Sequence, residues 1–429
     1  MAEVRPFRGL FYDSSEVGDL GKVVTLPYDI ISESKQRKYY DASEYNYVRL
    51  VFGLEDASDN DKNNRYTRAA GLLRRWIDEG VLVQDSEPGF YVYRQDYEIG
   101  RVRKSQIGLI SLVKLEPFEK GVVLPHEQIY EKPLVDRHNL LKETKANLET
   151  IIGIYADPKH ETTRILKEAV KSKPRIDLLH DDGVRHRIWT THDKKTADKL
   201  AELMNDKKII IADGHHRYTT ALEYSQEHGK NCPCAYIMML LYNMDDELTI
   251  MPTHRVLRGI ASYDQRVVLK RLGEYFHVKE FPFNGTEKAE SLRQLFEALG
   301  RRREKHAFGM YLGNGKFYLL TLKSSDMIEE LIDNTRSRQW NELDVTILHS
   351  FVMEYLLGVR KDDMDSVRYV KDGLKAVELV DGGEYNLAFF LNPTKLSQVK
   401  AVTEAGERMP QKSTYFYPKI YTGLTINKL

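Results

Sequence analysis

Residues 209–219 read Ile-Ile-Ile-Ala-Asp-Gly-His-His-Arg-Tyr-Thr: an apolar run, a glycine turn, then cationic or titratable side chains where a helix can begin. Backbone N–H groups at a helix start are unpaired and lie at the positive end of its dipole, so they suit phosphate oxygens. Gly214 allows close approach to the backbone, and His215, His216 and Arg217 add donors and positive charge. Arg217, at a helix start, is expected to face solvent. Asp213 has three available roles: N-cap of the helix, ligand of Mg²⁺, or orienter of a histidine. The plain alternative is an Asp N-cap followed by exposed polar residues. A zinc site on His215 and His216 is disfavoured, because adjacent helical residues point about 100° apart.

A second cluster, Leu124-Pro125-His126-Glu127-Gln128, leaves an apolar stretch through a proline. Strand exits of this kind often mount catalytic groups. Glu127 can serve as a general base toward a hydroxyl nucleophile, or can be an ordinary solvated loop glutamate. A third, Met409-Pro410-Gln411-Lys412-Ser413-Thr414-Tyr415-Phe416-Tyr417-Pro418-Lys419, pairs a lysine with two hydroxyls. Lys412 is a mobile point charge suited to phosphate or carboxylate; a surface turn is the competing reading. His254-Arg255, after another apolar stretch, are further candidate phosphate contacts.

These groups need elements to hold them, and the pattern supplies a mixed α/β chain. Ile151–Tyr155, Lys208–Ala212 and Ala235–Tyr242 are continuous apolar runs that suit buried strands. Tyr66–Glu79 places Ala69, Leu72, Leu73 and Trp76 at helical spacing, with Gly80 as its stop. Later segments alternate: helices at Gln265–Tyr275, Lys288–Leu299 and Leu343–Leu356, strands at Ala307–Leu312 and Lys316–Leu322. At 429 residues the chain is long for one core, and boundaries are drawn near 100 and 255. Its 64 basic residues balance 64 acidic ones, so no global field gathers nucleic acid or an anionic membrane. The apolar runs are too short to span a bilayer and the first residues lack a signal core, so a cytoplasmic protein is expected. Cys232-Pro233-Cys234 has one intervening residue, and two reduced, buried thiols are expected there.

Taken in order, Pro125–Gln128, Asp213–Arg217 and Pro410–Thr414 resemble the motifs of the free-serine kinase of the ParB/sulfiredoxin-like superfamily. The last is looser, with Gln411 inserted and Ser413 where that family has Thr. Sulfiredoxin itself places a catalytic cysteine where this chain has His215, which excludes its chemistry. ParB-type DNA binding would call for a basic balance and a helix-turn-helix. From Arg5-Pro6-Phe7 through Pro27-Tyr28-Asp29 to the late loop, the chain is also similar to a large family of mostly uncharacterised longer proteins.

The resemblance implies a ParB/sulfiredoxin-like phosphate-binding core at 101–255. An N-terminal α/β region at 1–100 would precede it, and a C-terminal α/β region at 256–429 would supply the serine loop. It implies phosphoryl transfer to free L-serine from inorganic pyrophosphate, or from ADP or ATP. Glu127 would be the base, with Asp213 as a second catalytic group holding Mg²⁺. Gly214, His215, His216, Arg217, His254 and Arg255 would hold the donor phosphates, and His126, Lys412, Ser413 and Thr414 the serine. The alternative is a non-catalytic regulatory protein that binds a nucleotide or a phosphometabolite.

Overall fold

The computed structural model describes residues 1–128, 131–229, 232–260, 263–326, 335–360 and 365–429. The chain folds as two compact units. The first holds residues 1–125, 129–249 and 418–429; the second holds 126–128 and 250–417. The first hundred residues do not stand apart, because they add strands to the same sheet as the cradle motif.

That sheet contains β1 (Val4–Arg5), β2 (Phe90–Ile99), β3 (Val102–Lys114), β4 (Val123–Pro125), β5 (Ile151–Tyr155), β6 (Ile176–Leu179), β7 (Arg185–Thr191), β8 (Ile209–Asp213) and β9 (Tyr236–Asn243). Its order is β4-β8-β5-β9-β3-β2-β7-β6, with β1 paired to β3. β5 and β9 run parallel, and all five residues of β5 are buried, which is why both are continuous apolar runs rather than alternating ones. Gly153 is required within β5, since a Cβ there would meet Ile209 Cγ2 at 2.7 Å. Helices α1 (Arg65–Asp78), α2 (Glu131–Thr144), α3 (Lys194–Met204) and α4 (His215–His228) belong to the same unit. Asn64 caps α1 in a capping box with Thr67, and Ala69, Leu73 and Trp76 face its core.

The second unit is built on an antiparallel sheet of β10 (His254–Leu257), β11 (Phe276–Pro282), β12 (Ala307–Tyr311), β13 (Lys316–Leu322), β14 (Val367–Val370) and β15 (Leu387–Phe390). The order is β11-β13-β12-β15-β10-β14. Helices α5 (Gln265–Tyr275), α6 (Lys288–Gly300) and α7 (Gly373–Asp381) accompany it. Leu292, Leu295 and Leu299 of α6 and Ala376, Val377 and Val380 of α7 share a core with Val256, Phe317 and Phe390.

The helix expected at Leu343–Leu356 is present, with α winding over Asp344–Thr346 and π winding over Ile347–Leu356. Wider winding of this kind often accompanies a functional constraint, and here the segment carries His349, a partner of Arg255. Cys232 and Cys234, expected as thiols, are joined as a disulfide. Their Cα atoms are 4.9 Å apart, within the span a disulfide bridges, so one intervening residue does not prevent it. No described helix is long and apolar enough to cross a membrane.

Candidate functional site

β4 and β8 pair in parallel, Pro125 opposite Ile211, so two of the sequence motifs leave neighbouring strands. Along its other edge β8 slips register against β5 between Ile211 and Asp213. Such a bulge re-aims the residues that follow it. Gly214 alone then joins β8 to α4, with φ 94° in the left-handed region. A Cβ at this position would also stand 2.9 Å from Arg217 Nη2 and push the guanidinium aside.

Asp213 lies inside the strand and does not cap the helix; Gly214 takes the N-cap position without a side-chain bond. Its Oδ1 accepts from Lys419 Nζ at 2.9 Å and its Oδ2 from Arg217 Nη2 at 3.1 Å. Burial raises the Asp213 carboxyl, but Lys419 and Arg217 outweigh it and hold the group well below the ordinary carboxylate range. Arg217 departs from its expected solvent-facing position. Its side chain is only 10% exposed, and Nη1 donates to the Thr150 carbonyl at 2.9 Å. The guanidinium lies back over Gly214, held there by the Thr150 carbonyl and the Asp213 carboxylate. His215 is buried and His216 half-buried in the first turn of α4.

Both carboxylate oxygens of Asp213 face cations. Mg²⁺ at a phosphoryl-transfer site commonly takes one or two carboxylates and completes its shell with phosphate and water, so Asp213 would hold it only together with the donor phosphates and with Lys419 and Arg217 turned away.

The second unit gathers the other two motifs. Glu127 bridges to Met409 in parallel, and Met409 N–H donates to the His126 carbonyl at 2.8 Å. Thr414 donates to Glu127 Oε1 from both its backbone N–H and its hydroxyl, each at 3.3 Å. His126 Nε2 lies 2.7 Å from the same hydroxyl. Residues 287 positions apart therefore form one cluster. Ser413 is buried, with its hydroxyl on the Pro410 carbonyl and its own carbonyl accepting from Thr394 at 2.7 Å. Lys412 is exposed at φ 55°, a conformation that a non-glycine residue adopts only when its surroundings impose it.

His254 and Arg255 belong to this unit, not to the cradle's. His254 is a core residue between Phe296 and Phe390, and burial with neighbouring Arg255 pulls it down to about 3, so it is neutral. Arg255 is 1% exposed, and burial lowers it to about 10. It donates to His349 Nε2 and to the Lys412 carbonyl, both at 3.0 Å, and so supports the late loop from beneath.

Lys419 was not singled out from the sequence. It closes the third cluster, but nothing in its spacing ties it to Asp213, 206 positions away. Buried Gln95 fixes it by donating to the Lys419 carbonyl at 3.1 Å.

The family profile described as "Protein of unknown function (DUF1015)" matches residues 4–346. No curated protein matches the chain. Among solved structures, a free serine kinase in complex with AMP is 14% identical, with a TM-score of 0.33, covering 71% of this chain and 89% of that one. A conserved hypothetical protein from Pyrococcus furiosus is also 14% identical, with a TM-score of 0.32 and coverage of 71% and 91%. SbnI from Staphylococcus aureus, truncated at its C-terminus, is 10% identical, with a TM-score of 0.34 and coverage of 73% and 85%.

Proposed function

The chain belongs to the DUF1015 family, and we propose that it is a phosphotransferase that moves a phosphoryl group from inorganic pyrophosphate to the hydroxyl of free L-serine. The observation that carries this reading is the Glu127 carboxylate held 3.3 Å from both donors of Thr414. A candidate base is thereby tied to a loop whose lysine and hydroxyls suit a small zwitterion.

Phosphoryl transfer asks chiefly for positioning and charge neutralisation. Lys419, Arg217 and the start of α4, with His215 and His216, would hold the donor phosphates. Arg217 and Lys419 would turn from Asp213 toward them, since phosphate competes for the same cations. Glu127 would orient the serine hydroxyl and accept its proton as the new P–O bond forms and phosphate departs. Lys412 would meet the serine carboxylate, with Thr414 and His126 placing the acceptor.

Pyrophosphate is favoured as donor because it concentrates charge in a small volume and needs no base pocket. The test is a competition among pyrophosphate, ADP and ATP, with free serine, glycerol and a serine-containing peptide as acceptors. Free serine with pyrophosphate should turn over at the lowest concentrations, because a peptide leaves the zwitterion-binding groups unpaired. Phosphorylation of the peptide with free serine inert would overturn the acceptor. Saturation by micromolar nucleotide with pyrophosphate inactive would overturn the donor.

A further inference from the structure

Behind the cradle the first unit buries a second set of charges that no step above uses. Glu149 is 6% exposed and Arg137 5%. Arg137 Nη1 donates to Glu149 Oε2 at 3.3 Å and to the Val51 carbonyl at 3.0 Å, while its Nε donates to Asp136 at 2.7 Å. The other Glu149 oxygen accepts from the backbone N–H of Tyr28 at 3.2 Å. The Tyr28 ring lies against the Arg137 guanidinium, 3.8 Å from its centroid, a cation–π contact. Arg137, Glu149 and Arg217 all line one cavity of about 50 Å³, together with Asn147 and Thr220. Residue 149 also immediately precedes Thr150, whose carbonyl binds Arg217.

Two guanidiniums in one cavity repel each other, and the Glu149 carboxylate, bonded to Arg137 and lining the same cavity as Arg217, offsets that repulsion. Burial works against the charge of Arg217; the carboxylates of Glu149, Asp213 and Asp29, in that order, more than compensate. Glu149 itself is raised by burial, against the pull of Arg217 and Arg137. Stability does not account for such a set, because apolar side chains of the same volume generally serve a core as well or better. What buried charges supply is a fixed direction for the group they hold.

We infer that Glu149 is a positioning residue for the donor phosphates. With Arg137 and the Tyr28 segment it fixes Arg217 at the cradle, which makes the Pro27-Tyr28-Asp29 motif part of the donor site. This rests on reading Asp213–Arg217 as that site. The N-terminal region thereby acquires a function beyond adding strands to the sheet.

The test uses the full-length chain in steady-state assays with pyrophosphate and serine varied in turn, comparing wild type, Glu149→Gln and Tyr28→Ala. Both variants should raise the KM for pyrophosphate about tenfold, while the KM for serine stays within about twofold. Circular dichroism confirms folding; where Glu149→Gln does not fold, Tyr28→Ala decides. An unchanged pyrophosphate KM in the folded variants, or parallel rises for both substrates, would overturn the inference and leave the kinase reading standing. A wild-type chain that neither binds nor uses pyrophosphate, ADP or ATP removes the parent reading and this one with it.

Discussion

Asp213 is the residue on which the two cations of the cradle converge, and its placement explains both its acidity and its neighbours' orientation. Lys419→Ala removes one charge-assisted contact, typically worth about 1.5–3 kcal/mol, so pyrophosphate affinity measured by calorimetry should fall by one to two decades. Because the ion pair is largely buried, the same variant should also unfold at lower temperature. Affinity that survives the substitution would detach Lys419 from the donor. The Asp-Gly-His-His-Arg run could be recognised as a phosphate motif because strand, glycine and cations are contiguous. Lys419 could not, because an ion pair across 206 positions leaves no local pattern. The inward turn of Arg217 escaped for a related reason: a helix start is exposed by default, and only the partners Thr150 and Asp213 reverse that.

At the scale of elements, the bulge in β8 and the one-residue turn at Gly214 deliver the cradle. Gly214→Ala must adopt φ near 94° and displace the Arg217 guanidinium from a 2.9 Å approach. The left-handed backbone alone costs about 1–2 kcal/mol. Urea unfolding should report a loss of that order, and donor affinity should fall about tenfold as Arg217 moves. A stability loss with unaltered donor affinity would show that the turn serves the fold alone. Strands such as Ile151–Tyr155 and Lys316–Leu322 were legible because apolar run and strand coincide. The π winding at Ile347–Leu356 was not, since its apolar spacing fits ordinary helix and only the Arg255–His349 contact singles it out. The disulfide was missed because sequence separation is a poor guide to Cα spacing in a tight turn.

For the molecule as a whole, each unit carries a deeply buried histidine that its surroundings keep neutral. His186 in the first unit is lowered to about 4 and His254 in the second to about 3. An unfolded histidine titrates near 6.5, so below that pH the unfolded chain takes up protons that the native one refuses. Stability is therefore full above about pH 6.5 and declines as pH falls toward 4, by about 1.4 kcal/mol per pH unit for each histidine. Denaturant unfolding at pH 7.5 and pH 5 should show a loss of about 2 kcal/mol in each unit, and a flat profile would contradict the buried, neutral assignment. The mixed α/β class was readable from alternating helical and apolar segments. The division into two units was not, because residues 126–128 and 418–429 cross the boundary drawn from sequence order.

The central claim is that Glu127 is the base for transfer to serine, and phosphorus NMR on the full-length chain with serine and pyrophosphate tests it most directly. Wild type should build a phosphomonoester resonance matching O-phosphoserine. Glu127→Gln, which keeps the size and the acceptor oxygen, should form it about 10²–10⁴-fold more slowly with donor affinity intact. Equal rates in the two proteins, or no O-phosphoserine from wild type with any of the three donors, would contradict the account.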